Sequence, residues 1–180
     1  MTRVPLIPGE PEDPIAQQVF DVYRQDGREP IALYRALANS PRMLRAYSGL
    51  ARGLRHEAEM PRPLRELAIL RTAQLTQSKY EWAHHRLMAL AAGVTERQVR
   101  EVAEWRHSAA FDARERAVLQ CAEDVHELGV TDESFVNLER LFGVSQAIEV
   151  VLTAAFYQAV ARVLQALDLE VEPEYRPPPD

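Results

Sequence analysis

The sequence predicts an all-α protein, and three observations carry that prediction. Apolar residues recur three and four positions apart through most of the chain, and no stretch reads as a convincing strand. Glycines stand where helices should stop, at Gly27, Gly93, Gly129 and Gly143. One helical unit also occurs twice. Arg65-Glu66-x-Ala68-x-Leu70-x-x-Ala73 recurs as Arg114-Glu115-x-Ala117-x-Leu119-x-x-Ala122, and Gly93-Val94-Thr95 recurs as Gly143-Val144-Ser145.

In order, residues 1–13 are rich in Pro and acid and predict an extended N-terminal arm. Pro14–Gln25 predicts a helix with Ile15, Val19, Phe20 and Val22 inward. Pro30–Ala38 and Pro41–His56 predict two more, the second with Ser40 as N-cap and Pro41 at its first position. The segment from Pro61 to Val94 predicts a helical hairpin with a polar break at Thr76–Lys79. Its first helix is apolar on several sides yet carries Glu66 on the face of Ile69, Leu70 and Ala73. A carboxylate there calls for a reason. Its second helix shows an apolar stripe at Tyr80, Ala83, Leu87, Leu90 and Ala91, flanked by Glu81, His84, His85 and Met88. In an antiparallel hairpin, Glu66 and the Glu81/His85 pair can converge.

Thr95 then caps a short helix through Trp105, and helices follow over Asp112–Leu128, Asp132–Phe142 and Ser145–Leu167. The last is apolar, but Gln158, Arg162 and Gln165 run a polar stripe through it, which favours a core or subunit-interface helix over a membrane span. Residues 14–169 thus read as one domain, with repeat copies at about 61–99 and 112–150. The Pro-rich segment 170–180 reads as a disordered tail.

The formal net charge of −6, with no Lys/Arg block, argues against nucleic acid and anionic membrane as partners. One cysteine, Cys121, permits no internal disulfide and fits a reducing compartment. The N-terminus has neither the apolar run nor the cleavage site of a signal peptide, so the expected location is cytoplasmic. The apolar surface of the 61–76 helix and the last helix exceeds what one small monomer covers, which predicts a homo-oligomer.

At RELAILRTAQLTQSKYEWAHH the chain resembles the carboxymuconolactone decarboxylase superfamily, which includes the alkyl hydroperoxidase D-type proteins. The likeness is clearest over Pro61–Val99 and extends more weakly through the repeat. It implies an all-α, alkyl hydroperoxidase D-like bundle with a duplicated helical core, assembled as a dimer, trimer or hexamer. The hydroperoxidase branch carries Glu, Cys, Cys and His at the spacing that here reads Glu66, Ser78, Glu81, His85. Both cysteines are replaced, so the resemblance implies the fold without the dithiol chemistry. The decarboxylase branch carries Glu-x-x-x-His and a following Gly-Val-Thr, matched by Glu81, His85 and Gly93–Thr95.

The expected function is therefore that of a carboxymuconolactone decarboxylase-like lyase without cofactor or metal. It would act by acid–base chemistry on a small lactone or keto acid. Expected catalytic residues are His85, with Glu81 orienting it and Glu66 as a second acid. Tyr80, Trp82 and His84 are the expected substrate-binding side chains. Five other readings stand beside this one. The Glu81/His85 pair can be an ordinary i,i+4 surface pair, and Ser78–Glu81 can be a capping box. Glu81-x-x-His84 and Glu123-x-x-His126 can be read as di-iron motifs with Glu66 and Glu115, although two of those ligands share a helix. Finally, the whole can be a peroxidase-related antioxidant protein by family, or a non-catalytic helical oligomer, with Tyr80, Trp82 and His84 at an interface.

Overall fold

The computed structural model describes residues 2–25, 27–127 and 129–175. Among them there is no strand, and the elements are α1 (Pro14–Gln25), α2 (Ala32–Leu37), α3 (Pro41–Arg52), a π-helical turn (Gly53–Glu57), α4 (Arg62–Leu75), α5 (Lys79–Ala92), α6 (Glu96–Glu101), α7 (Ala113–His126) and α8 (Asp132–Leu167). The 112–128 prediction ends at Leu128, outside the described residues.

Local chemistry accounts for most boundaries. Asp13 accepts from the backbone N–H groups of Ile15 and Ala16 at the start of α1. Pro41 opens α3, but Ser40 makes no side-chain cap bond. Thr95 with Gln98, and Asp112 with Glu115, form reciprocal capping boxes on α6 and α7. Gly93 ends α5 in the left-handed region at φ 102°, which a side chain rarely adopts.

Helix α4 is the hub. It packs against α5, α7 and α8, and eight of its fourteen residues are buried. On one side Leu64 and Ala68 meet Val118, Cys121 and Leu138. On another, Leu67 and Leu70 meet Ala89, Val99, Trp105 and Leu119. A third cluster joins Phe20, Tyr34 and Leu44 to Ile69, Tyr80, Tyr157 and Leu164. Burying such residues stabilises by roughly 1.5–3 kcal/mol each, so the repeat copies are held face to face through α4 and α7.

The two helices predicted on either side of Gly143 are both present within α8, which kinks between them at Gly143, where φ 78°, ψ 167° is non-helical. Three expectations change. The helix predicted to run to His56 leaves α geometry at Gly53. Residues 170–175, predicted as disordered tail, lie against α5, with a 3-10 turn at Pro173–Tyr175. Residues 176–180 are outside the described set.

The third change concerns α5. Its apolar stripe is only partly covered: Leu87 is 46% exposed, whereas Tyr80 of the stripe and the flanking Glu81, His84 and His85 are buried. The polar side turns in because Glu66 waits there on α4. Helix α8 is long and apolar enough to cross a membrane by length and composition, yet its Ala147, Val150, Ala154 and Tyr157 are core residues.

Candidate active site

The turn between α4 and α5 fixes the site. Ser78 accepts from the Glu81 N–H at 3.4 Å, a long cap bond. The reciprocal half of the box is missing, so the Glu81 carboxyl is not spent on capping. One helical turn farther, His85 Nδ1–H donates to Glu66 Oε2 at 2.8 Å. Glu66 Oε1 also lies 3.5 Å from Nε of Arg62. The partner that orients His85 is thus Glu66, across the hairpin, and not Glu81 on the same helix. Residues four apart lie one above the other on a helix, but here Glu81 and His85 both point into the cavity instead of at each other.

Both Glu81 oxygens are buried and lack a hydrogen-bond partner. Burial pushes its carboxyl up to about 8, while the nearby Ser78 hydroxyl pulls weakly the other way without hydrogen-bond geometry to either oxygen. At neutral pH Glu81 is therefore a neutral acid. Burial also lowers His85, against the pull of Glu66. A neutral imidazole with Nδ1–H on Glu66 leaves Nε2 with its lone pair.

The two groups line a cavity of about 40 Å³, room for about three waters at 10–15 Å³ each. Arg55, Tyr34, Tyr47, Phe156 and Tyr157 close the rest of it. Sequence reasoning missed these residues. Arg55 sits on the π-helical turn, a geometry often found at functional sites. Its Nη2 donates to the Tyr34 hydroxyl at 3.1 Å and its Nε to the Ala51 carbonyl at 3.2 Å. Burial opposes the Arg55 charge, but Tyr34 and Tyr157 outweigh it and hold the guanidinium above its ordinary value. Burial likewise raises Tyr34 and Tyr157, so both phenols stay protonated donors. The Tyr157 ring meets His85 edge-on at 4.8 Å.

Of the expected substrate-binding residues, Tyr80 and His84 form one wall of this cavity. Trp82 does not line it. Trp82 packs against the core cluster that contains Leu67, Ala89 and Val99, and faces an outer groove with Ala83, Arg86 and Leu87. Tyr80 is shared by cavity and groove.

The rival site residues are committed elsewhere. Glu123 accepts from Arg71 at 2.6 and 2.8 Å, from the Trp105 indole at 2.8 Å and from Arg106. Glu115 caps α7 and accepts from Gln98 at 2.7 Å. Among the described residues no cluster of three or more His, Cys, Asp or Glu is arranged to hold a metal ion. Cys121 is buried with Ala117 and Val118, and burial pushes its thiol up to about 12.

Residues 41–124 match the carboxymuconolactone decarboxylase family. That span runs from α3 into α7 and contains Arg55, Glu66, Glu81 and His85. No curated protein matches the chain. Among solved structures, an uncharacterized peroxidase-related protein from Ralstonia eutropha JMP134, with an alkylhydroperoxidase AhpD core, aligns at TM-score 0.80 and 22% identity, covering 97% of this chain and 94% of that one. A peroxidase-related protein from Silicibacter sp. TM1040 aligns at TM-score 0.81 and 18% identity over 97% and 93% of the two chains. An alanine variant of the debrominase Bmp8, in complex with 2,3,4-tribromopyrrole, aligns at 0.78 and 20% over 97% and 96%. Identities this low carry the fold and not the activity. Family match and fold agree: residues 41–124 match the carboxymuconolactone decarboxylase family, and the chain takes the all-α fold of the alkylhydroperoxidase-like structures, without paired cysteines.

Proposed function

We propose that the chain is a cofactor-independent acid–base lyase that decarboxylates, or moves a proton on, a small lactone or keto acid. The observation that carries this reading is that a neutral, unpartnered Glu81, the Arg55 guanidinium and His85, held by Glu66 behind it, line one cavity. Arg55 has no carboxylate among its hydrogen-bond partners.

Each group has a task. Loss of CO2 breaks a carbon–carbon bond and sends its electron pair onto the neighbouring carbonyl as an enolate. Arg55 and the tyrosine hydroxyls offer fixed donors to that developing charge, which is most effective in a site shut off from water. The Glu81 acid then supplies the proton to carbon and recovers one from solvent. His85, oriented by Glu66, removes or returns a proton at the substrate oxygen. The substrate carries its own electron sink, so atoms and charges balance without an added redox partner.

The test is release of ¹³CO2 from carboxyl-labelled lactone side-chain acids, followed by small β-keto acids. His85→Ala and Glu81→Gln should each lower kcat by about 10²–10⁴-fold, the range of general acid–base catalysis. Glu66→Gln should cost less than either, since an amide oxygen can still accept from Nδ1. Absence of release above buffer across both sets, by protein with intact helical signal, would overturn the proposal.

A further inference from the structure

The outer side of the Tyr80–His84 wall is already engaged by the chain itself. Glu172 places Oε1 2.5 Å from the Tyr80 hydroxyl and 2.7 Å from the Ala32 N–H, and Oε2 2.8 Å from His84 Nε2. Three donors from α5 and the start of α2 thus converge on one carboxylate. Tyr175 adds a ring contact. His84 lies stacked between Tyr80, at 4.6 Å and 17°, and Tyr175, at 3.7 Å and 24°.

We propose that Tyr80, His84 and the Ala32 N–H form a carboxylate-binding site at the mouth of the cavity, held in the resting chain by Glu172 and open to a free carboxylic acid that displaces residues 170–175. The occupant defines the ligand. Its carboxylate lies at the imidazole edge, while its ring covers the imidazole face. A free ligand satisfying both contacts is a carboxylic acid carrying a planar ring on a short flexible linker, because a rigid aryl acid cannot reach edge and face together.

Two further observations support it. Burial opposes the Glu172 charge, yet the bonds from His84, Tyr80 and Ala32 hold its carboxyl down to about 2. An exposed tail pair contributes little, whereas these charge-assisted bonds are the stronger kind. The donors also stand where a displaced tail uncovers something: Tyr80 and His84 both line the cavity, and Tyr80 also lines the groove walled by Val171, Glu174 and Tyr175. This site does not depend on decarboxylation at His85, and its occupancy is read without turnover.

The probe is 3-phenylpropionate, titrated calorimetrically into the full chain, with acetate as the ring-free control. A site filled by its own tail shows an affinity reduced by the fraction of time it is open. The full-length double variant Glu172→Ala/Tyr175→Ala should bind the probe at least about tenfold more tightly than the unaltered chain. Acetate should gain much less. Adding Tyr80→Phe, which removes one donor and keeps the ring, should cancel most of the gain. Equal affinity in the two chains, no binding by either, or a gain that survives Tyr80→Phe overturns the site. Should the double variant lose its helical signal, Glu172→Gln, which keeps the size and drops the charge, takes its place with the same expected direction. Failure here leaves ¹³CO2 release untouched, and failure of that assay leaves this titration untouched.

Discussion

Glu81 is the residue on which the chemistry and the stability of the fold make opposite demands. It is 2% exposed, and its carboxyl is raised from the ordinary 4.5 to about 8. The folded state therefore holds this proton where the unfolded chain has released it. Stability from this group is complete below 4.5 and is lost as pH rises toward about 8. His85 has the opposite sign. Its folded value lies below 6.5, so its contribution grows with pH and is finished by 6.5. Glu172, held at about 2, acts only in acid. Denaturant midpoints should therefore fall between pH 6.5 and 8, and Glu81→Gln should flatten that slope. A slope unchanged in the variant would place the titration elsewhere. The same proton predicts that turnover declines above about 8, when Glu81 ceases to be an acid. Cys121 belongs to the same scale. With its thiol pushed up to about 12, it should resist alkylation until the chain unfolds, and peroxide should not be turned over at the expense of a thiol reductant.

The helices were legible where caps and glycines mark them and illegible where packing decides. Pro14–Gln25 is found at its predicted bounds, and Gly93 does end α5. The convergence of Glu66 with His85 was readable from hairpin geometry, because both lie on the facing sides of an antiparallel pair. The exposure of Leu87 was not. Periodicity ranks faces by apolarity, and here a carboxylate on the neighbouring helix and a cavity draw the polar flank of α5 inward. Arg55 was invisible because nothing in Gly53–Glu57 signals a π-helical turn before the structure is seen. Gly143 is where the two predicted helices part, at the kink within α8. Its ψ of 167° with φ 78° is a region that side-chain-bearing residues avoid. Gly143→Ala meets no atom within 4 Å, so its cost should be backbone strain of about 1–3 kcal/mol, measured as a shift in unfolding midpoint at unchanged cooperativity. Leu70→Ala, in the fully buried hub of α4, should cost about 2–5 kcal/mol by opening a cavity.

At the scale of the molecule, the duplicated unit builds a frame and only one copy carries the candidate site. The copies are offset at their starts: Glu66 is the fifth residue of α4, whereas Glu115 is the third of α7. That shift makes one a cap and frees the other for His85. The apolar side of α5 that faces away from the core lines the outer groove with Ala161 and Leu164 of α8. Val144, Ile148 and Leu152 stand exposed at four-residue spacing along the same helix. We expect a second copy of the chain to cover such surfaces. Light scattering at micromolar concentration should report a dimer or larger assembly, and Ile148→Glu with Leu152→Glu should reduce its mass. A monodisperse monomer for the unaltered chain would dismiss the expectation.

The π-helical turn at Gly53–Glu57 also says how the cavity's cation can be gained or lost. A π turn holds one residue more than the α turn it replaces. Deleting Gly53 restores an ordinary ladder and swings Arg55 by roughly 100° about the axis, since each residue turns an α-helix by that angle. No side chain in the pocket need change. The natural mutational step separating a charged from an uncharged pocket on this scaffold is accordingly a single-codon deletion, and alignments that ignore gaps would pass over it.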